Sequence, residues 1–428
     1  MAFPSILDFS LKKNAVATRM MTQVHYPISS SSASPLDVVT FNLSCGKYGS
    51  FLDPSSIYLS FTFNNADGTN ATTIDHTAYS VIDRAVVMSS GQVISDLQNY
   101  GAWASMVIDS QVGVGKPGFM STFAGSATST TLNSVRAGVS VPAASSVPIS
   151  LPLMGTAIDA SSSDKMIPVG ALGDLQLQLY IADKNNAVYG VAAGNWTLSS
   201  VALTVGYVQL DAGAQKLIDE AQGGEYKWST ELYKSYNYNL AAASGSDNVV
   251  VPFKGSSLKS VYAIYRYARN IANFAYQTQS SRICPFVNGS SWFTTIGSDT
   301  YPQIPIKNST QHAMEFLKSW HTLGSPMGLH TSLDAATWSI NVDPQNAAST
   351  TGSFIAALNL ECYSNKTNTI HSGVNVIGGT TLTLNQVYNN GAGTAALPTP
   401  ASGTILQTTF AHYDAILSIK DGQLSVAF

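Results

Sequence analysis

Gly113-Val114-Gly115-Lys116-Pro117-Gly118 is a literal dinucleotide fingerprint, and its spacing could do chemistry. Glycines so spaced cradle a pyrophosphate only when a strand precedes them and a helix opens inside the motif, with free amides facing the phosphate. Pro117 and the Gly/Ser/Thr run beyond it supply no helix, so the stretch reads as a loop. The seven histidines are His25, His76, His312, His321, His330, His371 and His412. His312 and His321 flank a helical stretch but lie nine apart, off the i, i+4 spacing of a metal pair, and the histidines read as loop or surface residues. No Gly-x-Ser-x-Gly elbow presents a nucleophilic serine. Among 25 Asp and Glu, none stands in an apolar strand flanked by aromatics, the setting that raises a carboxyl pKa for acid catalysis. Asp211, Asp343 and Asp421 fall at turn or cap positions, where local backbone hydrogen bonds explain them. The sequence therefore offers no catalytic, cofactor-binding or metal-ligating residue. Paired carboxylates of a glycoside hydrolase are partners in space rather than in sequence, so that alternative stays open.

Binding chemistry is as sparse. Cys45, Cys284 and Cys362 are far apart and form no C-x-x-C, which indicates neither a zinc site nor a disulfide framework; reduced thiols are expected. A net charge of −4 argues against a general nucleic-acid binder, and Lys12, Lys13 and Arg19 read as a solvated basic cluster. Six sequons, at Asn42, Asn70, Asn195, Asn288, Asn308 and Asn365, suit a chain rich in Asn, Ser and Thr. The start, with Asp8 interrupting the apolar run, does not read as a signal peptide, so the sequons are expected to be unused. The aromatic run "SVYAIYRYARNIANFAY" (260–276) carries only Arg266 and Arg269 as positive charge, which favours packing over base stacking.

The elements are those of a β protein. Apolar residues make up 45% of the chain and charged residues 11%, against about 25% in an ordinary soluble domain. So few charges suit a molecule whose outside is covered by copies of itself. Short alternating runs separated by turn clusters mark strands at 38–43, 57–63, 146–153, 175–181 and 197–210. In the second half they fall at 228–240, 249–253, 258–267, 337–342, 355–363 and 410–419. Between them run long Gly/Ser/Thr/Asn loops, notably 117–145 and 368–404. No apolar segment is long enough to span a membrane as a helix.

Helical spacing occurs at 99–110, at 211–221 and at 309–320. In the middle segment Ala214, Leu217, Ile218 and Ala221 recur at i, i+3, i+4 and i+7, Asp211 can cap the start, and Gly223-Gly224 stops the helix. Leu217 and Ile218 are expected to be buried on its apolar face, with Gln215, Lys216 and Asp219 more exposed. Each half of the chain ends on a long alternating strand that stops at an Asp, "WTLSSVALTVGYVQLD" and "TTFAHYDAILSIKDG". Together with the helix placement, this predicts two β domains of similar plan.

"LTVGYVQLDAGAQKLIDEAQGGEYKWSTE" resembles the junction of the double jelly-roll major capsid proteins of the adenovirus-like, nucleocytoplasmic large DNA virus and Polinton-like lineage. "DRAVVMSSGQVISDL" resembles a hairpin of the first roll, with Gly91 and Gln92 at the turn. "VVVPFKGSSLKSVYAIYRYARN" resembles an early strand pair of the second roll, with Lys254-Gly255-Ser256 in place of the family's Asn-His-Pro. "HYDAILSIKDGQLSVAF" resembles the last strand and its Asp-Gly turn, after which Leu424, Val426 and Phe428 fold back.

The resemblance implies an all-β fold of two eight-stranded jelly-roll sandwiches in tandem with a few short helices. Its expected boundaries are an N-terminal arm over 1–24, the first roll over 25–210, a connector helix over 211–226 and the second roll over 227–428. The implied function is that of a major capsid protein, not an enzyme and without cofactors, whose trimers form pseudo-hexagonal capsomers in the icosahedral shell of a DNA virus. Implied partners are copies of itself, penton and minor capsid proteins, with an internal membrane a further candidate and no sequence-specific nucleic acid. The implied location is the virion, after synthesis and assembly inside the host cell. The alternative reading is a carbohydrate-binding or glycoside-hydrolysing β-sandwich protein.

Overall fold

The computed structural model describes residues 17–43, 50–111, 139–159, 165–189, 195–241, 244–267, 280, 282–286, 290–320, 353–362, 372–378, 380–389 and 404–428. In the first half, eight strands build two facing sheets: β1 (Ala17–His25), β2 (Val38–Asn42), β3 (Ser50–Asn65), β4 (Ile82–Ser89), β5 (Gln92–Gln98), β6 (Ser146–Pro152), β7 (Gln176–Ile181) and β8 (Trp196–Leu210). Their orders are β1-β8-β3-β6 and β2-β7-β4-β5. The period-2 alternation decides which side faces in: in β7, Leu177, Leu179 and Ile181 are buried and the residues between them only partly. A short ladder of Thr72–Ile74 between Val139–Val141 and Val188–Tyr189 stands beside these sheets.

The second half repeats the plan. Its strands are β9 (Glu225–Ala241), β10 (Ser244–Val251), β11 (Leu258–Tyr267), β12 (Ser291–Ile296), β13 (Asp299–Ile306), β14 (Ala356–Asn359), β15 (Leu382–Asn389) and β16 (Thr404–Lys420). They are ordered β9-β16-β11-β14 and β10-β15-β12-β13. Both halves thus follow one rule, first-eighth-third-sixth facing second-seventh-fourth-fifth, which is a jelly roll written twice. β17 (Gln423–Ala427) pairs the end of β16 beyond the point where β11 stops, seating Leu424 in the core. All ladders within the four large sheets are antiparallel.

The helices obey the same repeat. α1 (Tyr100–Gln111) follows the fifth strand of the first roll, and α3 (Ser309–Ser319) follows the fifth strand of the second. Between the rolls, α2 (Ala212–Gln222) starts at Asp211, whose side chain accepts from the Gly213 amide, and ends at Gly223 in the left-handed region. Two tight hairpins reverse the chain at Ser90-Gly91 and Asp421-Gly422, each pair with positive φ, which matches the right-handed twist of the strands they join.

Several expectations need correction. Ala17–His25 pairs along β8, so residues 17–24 are sheet rather than arm. β12, β13 and β15 lie where no strand was read, and β15 interrupts the loop expected at 368–404. On α2, Leu217 is 68% exposed and Ile218 half-buried, whereas Gln215 is 4% exposed. The reason is polar: the Gln215 side chain donates to Asp219 and to the Tyr226 hydroxyl, both at 2.8 Å, which turns that face inward. The strand expected at 337–342 lies outside the described residues, as do Asp343 and nearly all of the loop expected at 117–145.

Candidate functional site at the seam between the rolls

Even-numbered residues of β16 point away from the second roll's core, and a neighbour covers them. Phe410 and Thr408 are fully buried on that side, as is Ile264 of β11. The cover is the first roll: β5 packs along β9, and α1 inserts Trp103 edge-on against Tyr233, ring centroids 5.1 Å apart. At the far end the Gly173 amide donates to the Gly422 carbonyl at 3.0 Å, tying the first roll to the last hairpin.

Burial on both faces of a sheet forces its polar groups to find partners. Arg266, 4% exposed, donates to Thr408 at 2.9 Å and to Asn99 of the first roll at 3.2 Å, and Asn99 donates to Asn237 at 3.2 Å. Burial pulls the Arg266 pKa down to about 10, against the raising effect of Asp83 and Asp75. Deeper still, Arg282 donates to Asp109 at 2.5 Å and to the Ser105 hydroxyl at 3.3 Å, while His76 Nε2 donates to the same carboxylate at 3.1 Å. The Arg282 and Asp109 side chains are wholly buried. Ser280 donates to Asp75 at 2.5 Å, a further link between the halves.

A second charged group lies on the same sheet. Lys259 stands among Glu231 (2.5 Å), Glu361 (3.4 Å) and Asp414 (3.8 Å), and His412 donates to the other Glu231 oxygen at 2.9 Å. Burial pushes Glu231 up, but His412 and Lys259 outweigh it and hold the carboxyl well below the usual range. Burial pulls Lys259 down, and its carboxylates, Glu231 foremost, more than restore it. These attractions favour the charged forms of both Lys259 and Glu231. No group of three or more His, Cys, Asp or Glu among the described residues could hold a metal. The Lys259 group ties strands within the second roll, whereas the Arg266–Asn99 and Arg282–Asp109 links hold one roll against the other.

The histidine and carboxylate readings change accordingly. His25, His76 and His312 are buried, not surface residues, and Asp75, Asp109, Asp159 and Asp414 are buried carboxylates. Asp109 had a visible signal, a lone charge on the apolar helix "YGAWASMVIDSQ"; Arg282 had none. Tyr262 and Tyr265 of the aromatic run are core, and Arg266 is a buried tie. Asp211 and Asp421 occupy the cap and the turn expected of them. Asn308 spends its side-chain oxygen capping α3. Cys284 is buried and Cys362 exposed, neither in a disulfide. The Gly113–Gly118 motif, His321, His330, His371, Cys45, Lys12, Lys13 and Arg269 lie outside the described residues, as do Asn288 and Asn365.

Neither a protein-family model nor a curated protein sequence matches the chain. Solved structures do. The PBCV-1 virus capsid protein superposes with a TM-score of 0.65 at 12% identity, covering 99% of this chain and 100% of that one. The Faustovirus major capsid protein gives 0.60 at 9% identity over 98% and 93% of the two chains, and the mavirus major capsid protein 0.54 at 11% over 100% and 95%. The chain has the fold of the double jelly-roll major capsid proteins, from end to end.

Proposed function

We propose that this chain is the major capsid protein of a DNA virus, assembling as trimers with pseudo-hexagonal outline that tile an icosahedral shell. The observation that carries the reading is the duplicated strand order, matched over nearly the full length of capsid proteins in both directions. A seam of buried hydrogen bonds and ion pairs supports it, because two rolls fixed side by side let three chains present six similar corners. The low charge of 11% fits lateral faces that neighbouring copies cover. On this reading the protein performs no catalysis, resides in the virion after assembly in the host cell, and meets penton and minor capsid proteins, with an inner membrane as a further partner.

Light scattering and negative-stain microscopy of the purified protein test this. The expected result is a three-chain mass and particles of hexagonal outline. A stable one-chain mass at micromolar concentration would overturn it.

A further inference from the structure

Beyond the shell reading, we infer that β10 is an interface between two copies of this chain, pairing edge to edge with β10 of a second copy about a two-fold axis at Asn248. β10 pairs only with β15, along Ser244–Val251, and stands at the end of its sheet. Every second residue of such a strand turns its amide and carbonyl away from the sheet, a template for another strand. No backbone hydrogen bond among the described residues reaches that side of β10.

The other sheet edges are guarded. β6 carries Pro148 and Pro152, and β13 carries Pro302 and Pro305. The Ile28 amide donates to the Thr40 carbonyl of β2 at 2.8 Å, α3 lies on β14, and β5 packs along β9. β1 opens with a bulge, and β9 carries Lys227 and Lys234. β10, "SGSDNVVV", has no proline, lysine or bulge.

That bare edge fits its own copy. Val249 and Val251 are buried in the second roll, whereas Ser246 and Asn248 are exposed and Val250 is 59% exposed. A two-fold axis perpendicular to the sheet keeps the core faces of both copies on one side, so it pairs odd residues with odd and even with even. Centred on Asp247, it would set like charges face to face. Centred on Val249, it would draw Pro252 into the pair opposite Ser246. Centred on Asn248, it sets Gly245 against Val251 and Ser246 against Val250 of the second copy, small beside large. The two Asp247 side chains then lie on a diagonal, and the Tyr388 hydroxyl, donating to the carboxylate at 2.8 Å, holds each over its own sheet. The outer face that continues across the join carries Ser246, Asn248 and Val250 of β10 and Thr383, Asn385 and Val387 of β15, none of them charged. A contact between identical strands is isologous, so it closes at two. On the capsomer reading it joins one trimer to its neighbour, and its small size suits a contact repeated across a shell.

The test is disulfide trapping in the full chain, read on non-reducing gels. The baselines are the wild type with its own cysteines and Ser298→Cys, an exposed site on the turn between β12 and β13. Asn248→Cys should give a two-chain band, because residues opposite each other across a strand pair lie about 4.5–5.5 Å apart at Cα, within disulfide reach. Ser246→Cys and Val250→Cys should each stay single, since each is displaced from its own copy by roughly 13 Å along the strand. Mixed, those two should cross-link to each other. Asn248→Cys staying single, as it would if β10 received an extended segment of a different protein, would overturn the pair. So would equal cross-linking of Ser298→Cys, or of Ser246→Cys or Val250→Cys alone, which marks collision or another register. The gel reads the strand pair whether or not the chain is a trimer, so a one-chain mass in light scattering removes the capsomer reading and leaves this contact standing.

Discussion

Asp109 accepts hydrogen bonds from Arg282 and His76 where neither Asp109 nor Arg282 has any side-chain exposure. Taking away one partner of such a pair strands the other charge in a medium that cannot solvate it, at a cost of about 3–5 kcal/mol. Asp96 pairs with Arg84 at 2.6 Å with both side chains partly in water, and such pairs are worth about 1 kcal/mol or less. Asp109→Ala should therefore lower unfolding free energy several times more than Asp96→Ala, as measured by urea denaturation. His312 gives a pH signature. It lies stacked on Phe286 at 4.8 Å and edge-on to Phe354 at 5.1 Å, and burial pushes its pKa down to about 3. Below pH 6.5 the unfolded chain takes a proton there that the folded chain refuses, so stability falls as pH drops toward 3. His312→Leu should flatten the stability slope between pH 6.5 and 4.5, a window above the range in which Glu231 titrates. An unchanged slope would place the proton elsewhere. The sequence marks Asp109 as a lone charge on an apolar helix, but its partner is not legible, because Arg282 is 173 residues away and only the fold brings the two together.

At the scale of elements, ends were legible and faces were not. Asp211 and Gly223 fix both ends of α2 by local backbone chemistry that any reader of the sequence can apply. Its buried side is decided by Tyr226, on the strand that folds back beneath it, whose hydroxyl receives Gln215 and pairs with Asp219. Truncating Gln215 leaves buried polar groups to be resatisfied, at about 1–3 kcal/mol, whereas truncating the exposed Leu217 changes stability by about 0.5 kcal/mol or less. Thermal melts of Gln215→Ala and Leu217→Ala check the order; a larger loss for Leu217→Ala would restore the apolar-face reading. The strands missed by pattern had reasons as well. β13, "DTYPQIPI", carries Pro302 and Pro305, which argue against a central strand, and it is in fact the edge of its sheet. In β12 Phe293 faces outward and Thr294 is buried, and in β15 Gln386 is buried while Val387 is exposed, so the apolar/polar alternation is broken in the sequence itself. By contrast β8, 15 residues long, is legible nearly whole at 197–210, and β16, 17 residues long, over its strongly alternating part at 410–419.

For the whole molecule, the duplicated plan was legible from the matched helices and closing strands, but the way the rolls join was not. Two sandwiches of about 200 residues each have cores large enough to melt separately. Here Trp103 couples them. It belongs to the first roll, is 2% exposed, and packs on Tyr233 of the second. Behind it lies Gly155 at φ +74°, where an added Cβ would fall 2.4 Å from the indole ring, so the ring has no room to withdraw. Stacked beside the same tyrosine, His412 holds Glu231 and through it Lys259, so the aromatic contact and the charged group move as one body. The wild-type chain should therefore unfold in one calorimetric transition, with van't Hoff and calorimetric enthalpies in agreement. Trp103→Ala removes the wedge and opens a cavity at the seam, costing about 3–5 kcal/mol. Because much of that loss falls between the rolls, the variant should melt in two resolved steps, with the calorimetric enthalpy exceeding the van't Hoff value. A single sharp transition merely shifted to lower temperature would show that the wedge serves the first core alone, and that the rolls are coupled through Arg282, Arg266 and their partners instead.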